Sequence, residues 1–255
     1  MKNYPSDLTD NQWQVIKNMI DTGRKRKYGL RGVVNAIMYI TKSGCQWRML
    51  PVDFAPWQSV YYYFKKWKRD GLIEEIHDYL VSKLRVKKNK NPLPSVGIID
   101  SQSAKTINIC EDNIGYDGGK KIKGRKRHIV VDTLGLVLSI VIHSATTHDS
   151  KGAERVLEEL KNKYLSGIIK IFADGGYRGE LTERVRLRFG WILEIVKRND
   201  TSQFQILPKR WIVERTFAWI SFQRRTSKDY ERLSESSIAF IHLSMIRLML
   251  NKIST

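Results

Sequence analysis

The sequence has 255 residues, 42% of them hydrophobic, which is enough to bury a core as one large domain or two smaller ones and excludes a disordered chain. It carries 45 Lys and Arg against 26 Asp and Glu, and the net charge of +19 favours a polyanionic partner, with nucleic acid as the first candidate. A basic surface that only contacts solvent is the alternative.

Two further classes of protein are excluded. The two cysteines, Cys45 and Cys110, form no CxxC pair, so a structural zinc framework is excluded and a reducing cytoplasm is favoured. The N-terminal stretch MKNYPSDLTDNQW is too polar for a signal peptide, and no run of about 18 apolar residues is present to span a membrane. We therefore expect a soluble, intracellular protein.

Residues 1–85 are predicted to form a helical domain. Thr9 and Gln12 have the spacing of a capping box at the start of the first helix. A second amphipathic helix is expected to end at Gly44 and a third at Gly71, because glycine readily adopts the left-handed conformation that follows a helix. A fourth helix completes the domain.

The third of these helices is basic and amphipathic, and it follows a turn closed by glycine. This arrangement resembles a helix-turn-helix, whose second helix enters the DNA major groove, although three short helices also form a generic bundle. Residues 86–94, within the basic stretch RVKKNKNPLP, are predicted to be a linker. The candidate DNA contacts on the third helix are Tyr63, Lys65, Lys66 and Lys68.

Residues 95–255 show the alternating pattern of an α/β domain. The strand SVGIID ends at Asp100, and two apolar runs separated by DTLG predict a hairpin with Asp132 and Gly135 in its turn. A further strand, IIKIFAD, ends at Asp174, and the order of elements predicts one mixed sheet covered by helices. The other predicted elements are helices near residues 151–164, 178–189, 210–224 and 234–250 and a strand at WILEIV.

Three carboxylates are the candidate catalytic residues. Asp100 and Asp174 each come at the end of an apolar strand, and open sheets bind ligands at the carboxyl ends of their strands. If the two strands are parallel neighbours, the carboxylates converge, and a divalent cation is needed to neutralise their repulsion. Glu214 has Trp211 three positions before it and Phe217 three after it, which predicts that it lies on the apolar stripe of its helix.

Oxygen ligands of this kind suit Mg²⁺, and a helix crossing the strand ends would bring Glu214 in as the third donor. Such a site supports phosphoryl transfer with two metal ions about 4 Å apart. Ordinary interpretations stay open: an Asp at a strand end often forms a turn or a helix cap, and Glu214 could pair with Arg210 or Arg215.

At these residues the sequence resembles a known family. The segments IIDSQSAK, GYDGGKKIKGRKRHIVVDTLGLVLSIVIHSATTHDS, IFADGGYRG and RWIVERTFAWISFQRRTSKDYE are similar to those of the DDE transposases of bacterial insertion sequences, in the group of insertion sequence five. The segments YPSDLTDNQW and SGCQWRMLPVDFAPWQSVYYYFKKWKRDG resemble the DNA-binding region of such enzymes. The resemblance covers nearly the whole chain.

The resemblance implies a ribonuclease-H-like catalytic domain preceded by an all-helical DNA-binding domain. It places the family's catalytic and metal-binding acidic residues on Asp100, Asp174 and Glu214, with two Mg²⁺ or Mn²⁺ ions in each active site. It also implies that the protein cleaves DNA at the terminal repeats of its element and joins the freed 3′-hydroxyls to target DNA. At least a dimer on DNA is expected, in the bacterial cytoplasm and associated with the nucleoid.

One departure from the family concerns the helix that carries Glu214. In related families this helix follows a Tyr, Arg, Glu, Lys pattern; Arg210 matches the Arg, whereas Leu207 and Ser221 occupy the Tyr and Lys positions. Basic residues that follow the helix are candidates to contact phosphate instead. They are Arg224, Arg225 and Lys228.

The stretch GGKKIKGRKRH, residues 118–128, is predicted to form a flexible basic loop that contacts the DNA backbone near the metal site. Tyr177 is a candidate to stack on a splayed base. The candidate phosphate contacts in and around these segments are Lys120, Lys121, Lys123, Arg125, Lys126, Arg178, Arg210 and Arg215.

Smaller predictions concern the start of one helix and two tryptophans. Asp149 or Ser150 is expected to cap the helix that follows THDS, with His148 as the weaker candidate for positioning a water. Trp211 and Trp219 are expected to lie in the core.

Two alternatives to a transposase stay open. A nuclease of the same fold would cut DNA without strand transfer, and a regulator derived from a transposase would bind DNA without catalysis. Acidic residues at all three positions favour catalysis.

Overall fold

The computed structural model describes residues 4–20, 23–164, 167–196 and 210–254. The chain forms two compact units. The first comprises Met1–Lys90, Trp219–Lys228 and Ala239–Thr255, and the second comprises Asn91–Ala218 and Asp229–Ile238. The boundary after Lys90 falls within the predicted linker, but two C-terminal segments that the sequence assigned to the α/β region group with the helical one.

Four N-terminal helices build the first unit. The capping box is confirmed, because the Thr9 N–H donates to Gln12 Oε1 over 3.0 Å and the Gln12 N–H donates to Thr9 Oγ1 over 3.3 Å. Gly44 closes the second helix in the left-handed conformation, with φ 72°. The helices are α1 (Asp10–Ile20), α2 (Leu30–Ser43), α3 (Trp57–Arg69) and α4 (Leu72–Lys87).

The core of the first unit combines residues from distant parts of the sequence. Phe64 and Trp67 face inward from α3, as predicted. The Phe64 ring stacks on Phe240 at a centroid distance of 4.9 Å, and Trp47 contacts the Phe240 ring at 6.1 Å. Phe240 lies on the last helix, α8 (Ser234–Ser254), so the C-terminal part of the chain contributes to this core.

The second unit is an α/β structure around a six-stranded sheet. Three helices follow its strands, and the last of them carries Glu214. The strands are β1 (Val96–Lys105), β2 (Gly115–Asp117), β3 (Ile122–Val131), β4 (Val137–Ser144), β5 (Lys170–Ala173) and β6 (Ile192–Ile195). The helices are α5 (Asp149–Lys163), α6 (Leu181–Phe189) and α7 (Arg210–Ser221).

The sheet is mixed, as predicted. Strand β3 pairs antiparallel with β1 and β4, whereas β1 pairs parallel with β5, and β5 pairs parallel with β6. The order β4, β3, β1, β5, β6, with helices between β4 and β5 and between β5 and β6, is that of a ribonuclease-H-like fold. Strand β2 is an addition beside the start of β3.

The hairpin between β3 and β4 has the predicted turn. Gly135 adopts φ 83°, in the left-handed region. Asp132 is buried, and its Oδ1 accepts the backbone N–H groups of Leu134 and Leu136 over 2.9 and 2.8 Å. A short polar side chain that satisfies nearby backbone donors thus forms the turn.

Two sequence predictions in this unit are wrong. Strand β1 does not end at Asp100 but continues to Lys105, because its antiparallel pairing with β3 continues that far. Residues 118–128 are not a flexible loop, since β3 begins at Ile122 and most of its side chains are buried. Among the described helices, none combines the length and the apolar character that crossing a membrane requires.

Candidate catalytic site

Asp100 and Asp174 line one pocket where β1 and β5 run side by side. The two strands are parallel, and their last backbone pair is Ile98 with Phe172. Continuing this register by two residues brings Asp100 level with Asp174. The parallel pairing on which the predicted convergence depended is therefore present, and Arg210 and apolar side chains complete the pocket.

Asp100 lies in surroundings that disfavour its negative charge. Burial raises the pKa of Asp100 to about 6. The Ser101 N–H, which donates to Asp100 Oδ1 over 2.7 Å, lowers the pKa but does not cancel the effect of burial. The neighbouring Asp174 carboxylate raises the pKa further. Two such carboxylates are stable as a charged pair only when a cation is close to them.

Asp174 forms a cap as well as a wall of the pocket. It lies directly after β5, and its Oδ1 accepts the Gly176 N–H over 2.9 Å, which caps a 3-10 turn at Gly175–Tyr177. One oxygen of Asp174 therefore stabilises a turn, as aspartates at strand ends often do. The second oxygen, Oδ2, faces Arg210.

Glu214 does not lie on an apolar stripe, so that prediction is wrong. Its side chain is 56% exposed, and it shares the outer face of α7 with Trp211, which is 44% exposed. Residues three before and three after a helical position lie about 60° to either side of it. Phe217 is buried and Trp211 is exposed, so Glu214 lies outside the buried face of α7, at its edge.

Arg210 connects the second and third carboxylates. Its Nη2 lies 3.6 Å from Asp174 Oδ2, and its Nε lies 3.1 Å from Glu214 Oε1, in the i, i+4 ion pair that the sequence allowed. The same guanidinium lowers the pKa of Asp100. Arg210 therefore supplies positive charge to all three acidic residues.

The described residues do not gather a complete metal-ligand set. No group of three or more His, Cys, Asp or Glu side chains within them is spaced to hold one metal ion. Asp100 and Asp174 are brought together, whereas Glu214 is paired with Arg210. The arrangement is a carboxylate pair with an arginine between it and the third acid.

Comparison with protein families assigns the chain. A family model described as "Transposase DDE domain" matches residues 91–249, which is more than half of the sequence. The chain belongs to the DDE transposase family. A second model, described as "Putative transposase of IS4/5 family", matches residues 8–77 of this family member.

Relatives of this DDE-family chain include proteins from two bacteria. It is 31% identical over 127 residues to the "Putative transposase for insertion sequence element IS402" of Burkholderia cepacia, a match covering 47% of this chain and 60% of that protein. It is 29% identical over 73 residues to the "Uncharacterized protein y4sN" of Sinorhizobium fredii (strain NBRC 101917 / NGR234), covering 27% of this chain and 58% of that protein. The matches thus span less than two thirds of either relative.

Two solved structures show distant similarity. The Mos1 strand transfer complex matches with 10% identity and a TM-score of 0.30, covering 92% of this chain and 78% of that one. The Drosophila P element transposase strand transfer complex matches with 14% identity and a TM-score of 0.27, covering 74% and 45%. The fold of the DDE domain is identified by its strand order.

Three of the basic residues predicted to contact DNA are buried in this DDE-family chain, so these predictions are wrong. The Arg125 side chain is 0% exposed and donates to Asp229 Oδ1 over 3.2 Å. Lys126 Nζ donates to Asp149 Oδ1 over 2.9 Å. Arg225 lies 5.0 Å from the ring of a core phenylalanine and donates to a backbone carbonyl. Their charges serve the fold instead of a DNA surface.

The remaining candidates, Tyr63 and the other basic residues, lie at the surface of their units, and DNA contact stays a prediction for them. Lys66 forms an ion pair with Asp70, and Arg215 Nη2 donates to the Leu134 carbonyl over 3.1 Å. Exposed are Lys65, Lys120, Lys121, Lys123, Arg178, Arg224 and Lys228, and partly buried are Tyr63, Lys66, Lys68, Arg210 and Arg215.

A buried polar cluster around Tyr177 was not predicted. Tyr177, expected to stack on a base, is 1% exposed, and its hydroxyl lies 2.8 Å from His128 Nε2. His128 Nδ1 lies 3.3 Å from His143 Nε2. The histidines lie within apolar strands far from Tyr177 in sequence, so local periodicity held no signal of this contact.

The start of α5 also differs from prediction. His148 is the N-cap, its Nδ1 accepting the Ser150 N–H over 3.4 Å, and Asp149 is the first helical residue. Asp149 Oδ1 accepts instead from Ser101 Oγ over 2.8 Å, beside the catalytic candidate Asp100. Of the two tryptophans expected in the core, Trp211 is exposed and Trp219 is partly buried.

Proposed function

We propose that this chain is a transposase that binds the ends of its insertion sequence, cleaves DNA there to free 3′-hydroxyls, and joins them to target DNA. The observation that supports this most is the register of β1 and β5, which brings Asp100 level with Asp174 in one pocket. In a DDE-family chain of charge +19, such a pair favours phosphoryl transfer on nucleic acid.

The donor chemistry of the acidic residues fits a divalent metal. Mg²⁺ and Mn²⁺ prefer carboxylate oxygens, and burial together with the neighbouring Asp174 carboxylate leaves Asp100 in need of positive charge. We propose that these two residues hold two Mg²⁺ or Mn²⁺ ions, with Glu214 as a further ligand after it leaves Arg210. When bound, the ions activate the attacking oxygen and stabilise the leaving oxygen of the phosphodiester.

Arg210 is proposed to contribute to the same step. A guanidinium released from Asp174 and Glu214 remains beside the pocket, where its planar donors can bind a phosphate in bidentate geometry. Lys120 is close enough to lower the pKa of Asp100 and is exposed, so it can neutralise a second phosphate. These two cations would orient the DNA backbone over the acidic residues.

The helical unit is proposed to recognise the element ends through α3. Val60, Phe64 and Trp67 form the buried face of that helix. Its other basic and aromatic side chains are exposed or partly buried. A helix with one face in the core and a basic outer face suits the major groove. Because both ends of an element must be held together during strand transfer, we propose at least a dimer on DNA.

The experiment that tests the function is cleavage and strand transfer on a DNA fragment bearing the flanking element ends, with Mg²⁺. Glu214→Gln removes a charge with little change of shape, and we expect cleavage to fall by about 100-fold or more while DNA binding is kept. Glu194→Gln is the matched control, because Glu194 is 49% exposed and pairs with Lys170 in the same unit. It should cleave like the native protein.

The other outcomes favour other functions. Cleavage without joining of the labelled ends would identify a nuclease of the same fold. Binding to the ends without any metal-dependent cleavage would identify a DNA-binding regulator. Equal cleavage by the native protein and Glu214→Gln would remove Glu214 from the catalytic set.

A further inference from the structure

The strand pairing that brings the two aspartates level stops short of them. The last backbone pair between β1 and β5 is Ile98 with Phe172, so Asp100 and Asp174 each lie two residues beyond it. Asp100 remains in the antiparallel ladder with β3. Asp174 has left β5 and begins the 3-10 turn. Backbone hydrogen bonds between these strands therefore do not fix the separation of the two carboxylates.

Tyr177, which is buried at the end of that turn, connects the turn to the strands that hold Asp100. The Tyr177 N–H donates to the Asp174 carbonyl over 3.2 Å, which closes the turn. The Tyr177 hydroxyl lies 2.8 Å from His128 Nε2. His128 lies on β3 opposite Ser101, the residue after Asp100. The Tyr177 side chain, which also forms a hydrogen bond with Ser101 on β1, thus joins the turn of Asp174 to the strand pair that holds Asp100.

The direction of each hydrogen bond follows from the far end of this cluster. The Ser144 carbonyl can only accept, so His143 Nδ1, 3.0 Å away, is the donor. A neutral His143 then accepts at Nε2 from His128 Nδ1, which leaves His128 Nε2 to accept from the Tyr177 hydroxyl. Each of the three side chains has therefore one arrangement that satisfies its polar atoms.

The protonation states agree with this direction. Burial lowers the pKa of His128 to about 3 and also lowers the pKa of His143, so both imidazoles are neutral near pH 7. Burial raises the pKa of Tyr177 well above its usual value, with Asp100, Asp149 and Asp174 adding to the effect. The hydroxyl therefore keeps its proton and remains a donor.

Helix α5 confines the two imidazoles from one side. A Cβ placed on Gly152 would lie 2.3 Å from His143 Nε2 and 2.6 Å from His128 Nδ1. The backbone of α5 thus packs directly against the hydrogen bond between the histidines. The imidazole that receives the Tyr177 hydroxyl has no space to move toward α5, so it is a fixed point for the turn of Asp174.

We propose that Tyr177 and His128 are positioning residues that set the separation of Asp100 and Asp174, and thereby the affinity of this pair for a divalent cation. The inference rests on the proposed metal site. Both side chains are buried, so neither meets DNA directly. They act through the turn that carries Asp174.

The test is Mn²⁺ binding to the DNA-free protein, measured from the electron paramagnetic resonance signal of free Mn²⁺. Tyr177→Phe removes one hydroxyl and keeps the ring, and we expect the affinity to fall by about 10- to 100-fold, as for other residues that orient metal ligands. Ser139→Ala is the matched control: its hydroxyl is also buried and donates to the Val156 carbonyl over 3.1 Å, between β4 and α5. Its loss should leave Mn²⁺ affinity unchanged.

Two variants of His128 separate positioning from general support of the fold. The glutamine amide offers a carbonyl oxygen to accept and an NH₂ group to donate, so His128→Gln should keep most of the Mn²⁺ affinity that His128→Leu loses. Equal affinity in the native protein and Tyr177→Phe would overturn the inference. If His128→Leu does not fold, the comparison of Tyr177→Phe with Ser139→Ala still decides. A native protein that binds no Mn²⁺ would overturn the metal site itself, and the inference with it.

Discussion

Asp100 is expected to destabilise the metal-free protein at neutral pH. Because burial raises its folded pKa to about 6 from 3.8, the stabilisation from its neutral form is complete below pH 3.8 and is lost as pH rises through 6. Asp100→Asn should therefore be more stable than the native protein above pH 6, by on the order of 3 kcal/mol, and the difference should shrink toward pH 4. Urea unfolding in the presence of a chelator measures it.

Asp117 provides a control of opposite sign. Burial opposes its charge, but hydrogen bonds from Ser103 Oγ and the Lys120 N–H, together with the charges of Lys126 and Lys120, outweigh burial and lower the pKa of Asp117. Its contribution to stability is present above pH 3.8 and is lost as pH falls through the lowered value. Asp117→Asn should thus lose stability at neutral pH. If Asp100→Asn were no more stable than the native protein from pH 6 to 8, the prediction that the charge of Asp100 destabilises the fold would be wrong.

The sequence indicates which residues carry the acidic chemistry but not how each is held. Asp100 and Asp174 are found because each is the first charged residue after an apolar run, and that signal is local. The exposure of Glu214 depends on which side of α7 is buried. Its aromatic neighbours predicted a buried position, but only Phe217 is buried and Trp211 is exposed. The contact of Tyr177 with His128 spans 49 residues, beyond any local pattern.

At the scale of an element, two helical glycines should respond in opposite ways to the same change. Gly32, in α2, has nothing within 4 Å of an added Cβ, so Gly32→Ala should stabilise by about 0.5–1 kcal/mol. In Gly152→Ala the methyl group would collide with His128 and His143, and we expect a loss of about 1–3 kcal/mol despite the better helix propensity. Chemical denaturation of both variants measures the two effects.

A stabilised Gly152→Ala would show that α5 can move away from the histidines at little cost. It would also remove the support for a rigid imidazole pair. A destabilised Gly32→Ala would point to an unseen neighbour of α2, because propensity alone predicts a gain.

Strand β3 shows why the helices were predicted from the sequence more accurately than this strand. Helices α1 to α3 were found with their caps because capping boxes and closing glycines act within a few residues. The start of β3 was taken for a loop because it is rich in Lys and Arg. Arg125 is tolerated inside the sheet because Asp229, 104 residues away, neutralises it, and Asp112 also pairs with it. No local pattern shows a partner at that distance.

At the scale of the whole molecule, we expect residues 1–90 to be insufficient for a folded helical unit. The fragment lacks Phe240, so the rings of Phe64 and Trp47 would lose a neighbour and become exposed. It also lacks Arg225, which donates to the Cys45 carbonyl over 3.3 Å. The fragment should therefore retain helix by circular dichroism but unfold without a cooperative thermal transition.

The full chain is the reference for that measurement. A sharp transition in the fragment would show that the helical domain predicted from the sequence is self-sufficient. The sequence could not show the grouping of the C-terminal segments with this unit, because the periodicity of α8 gives its apolar character but not its partner.

The same grouping has a consequence for protein synthesis. A ribosome delivers residues in chain order, and domains generally fold as they emerge, the first one first. Here the unit that begins the chain is completed by residues 239–255, whereas the last segment of the sheet-containing unit ends at Ile238. The nascent chain can therefore complete its sheet-containing unit before its helical one. Until α8 has emerged, the apolar face of α3 lacks Phe240 and would be open to chaperones.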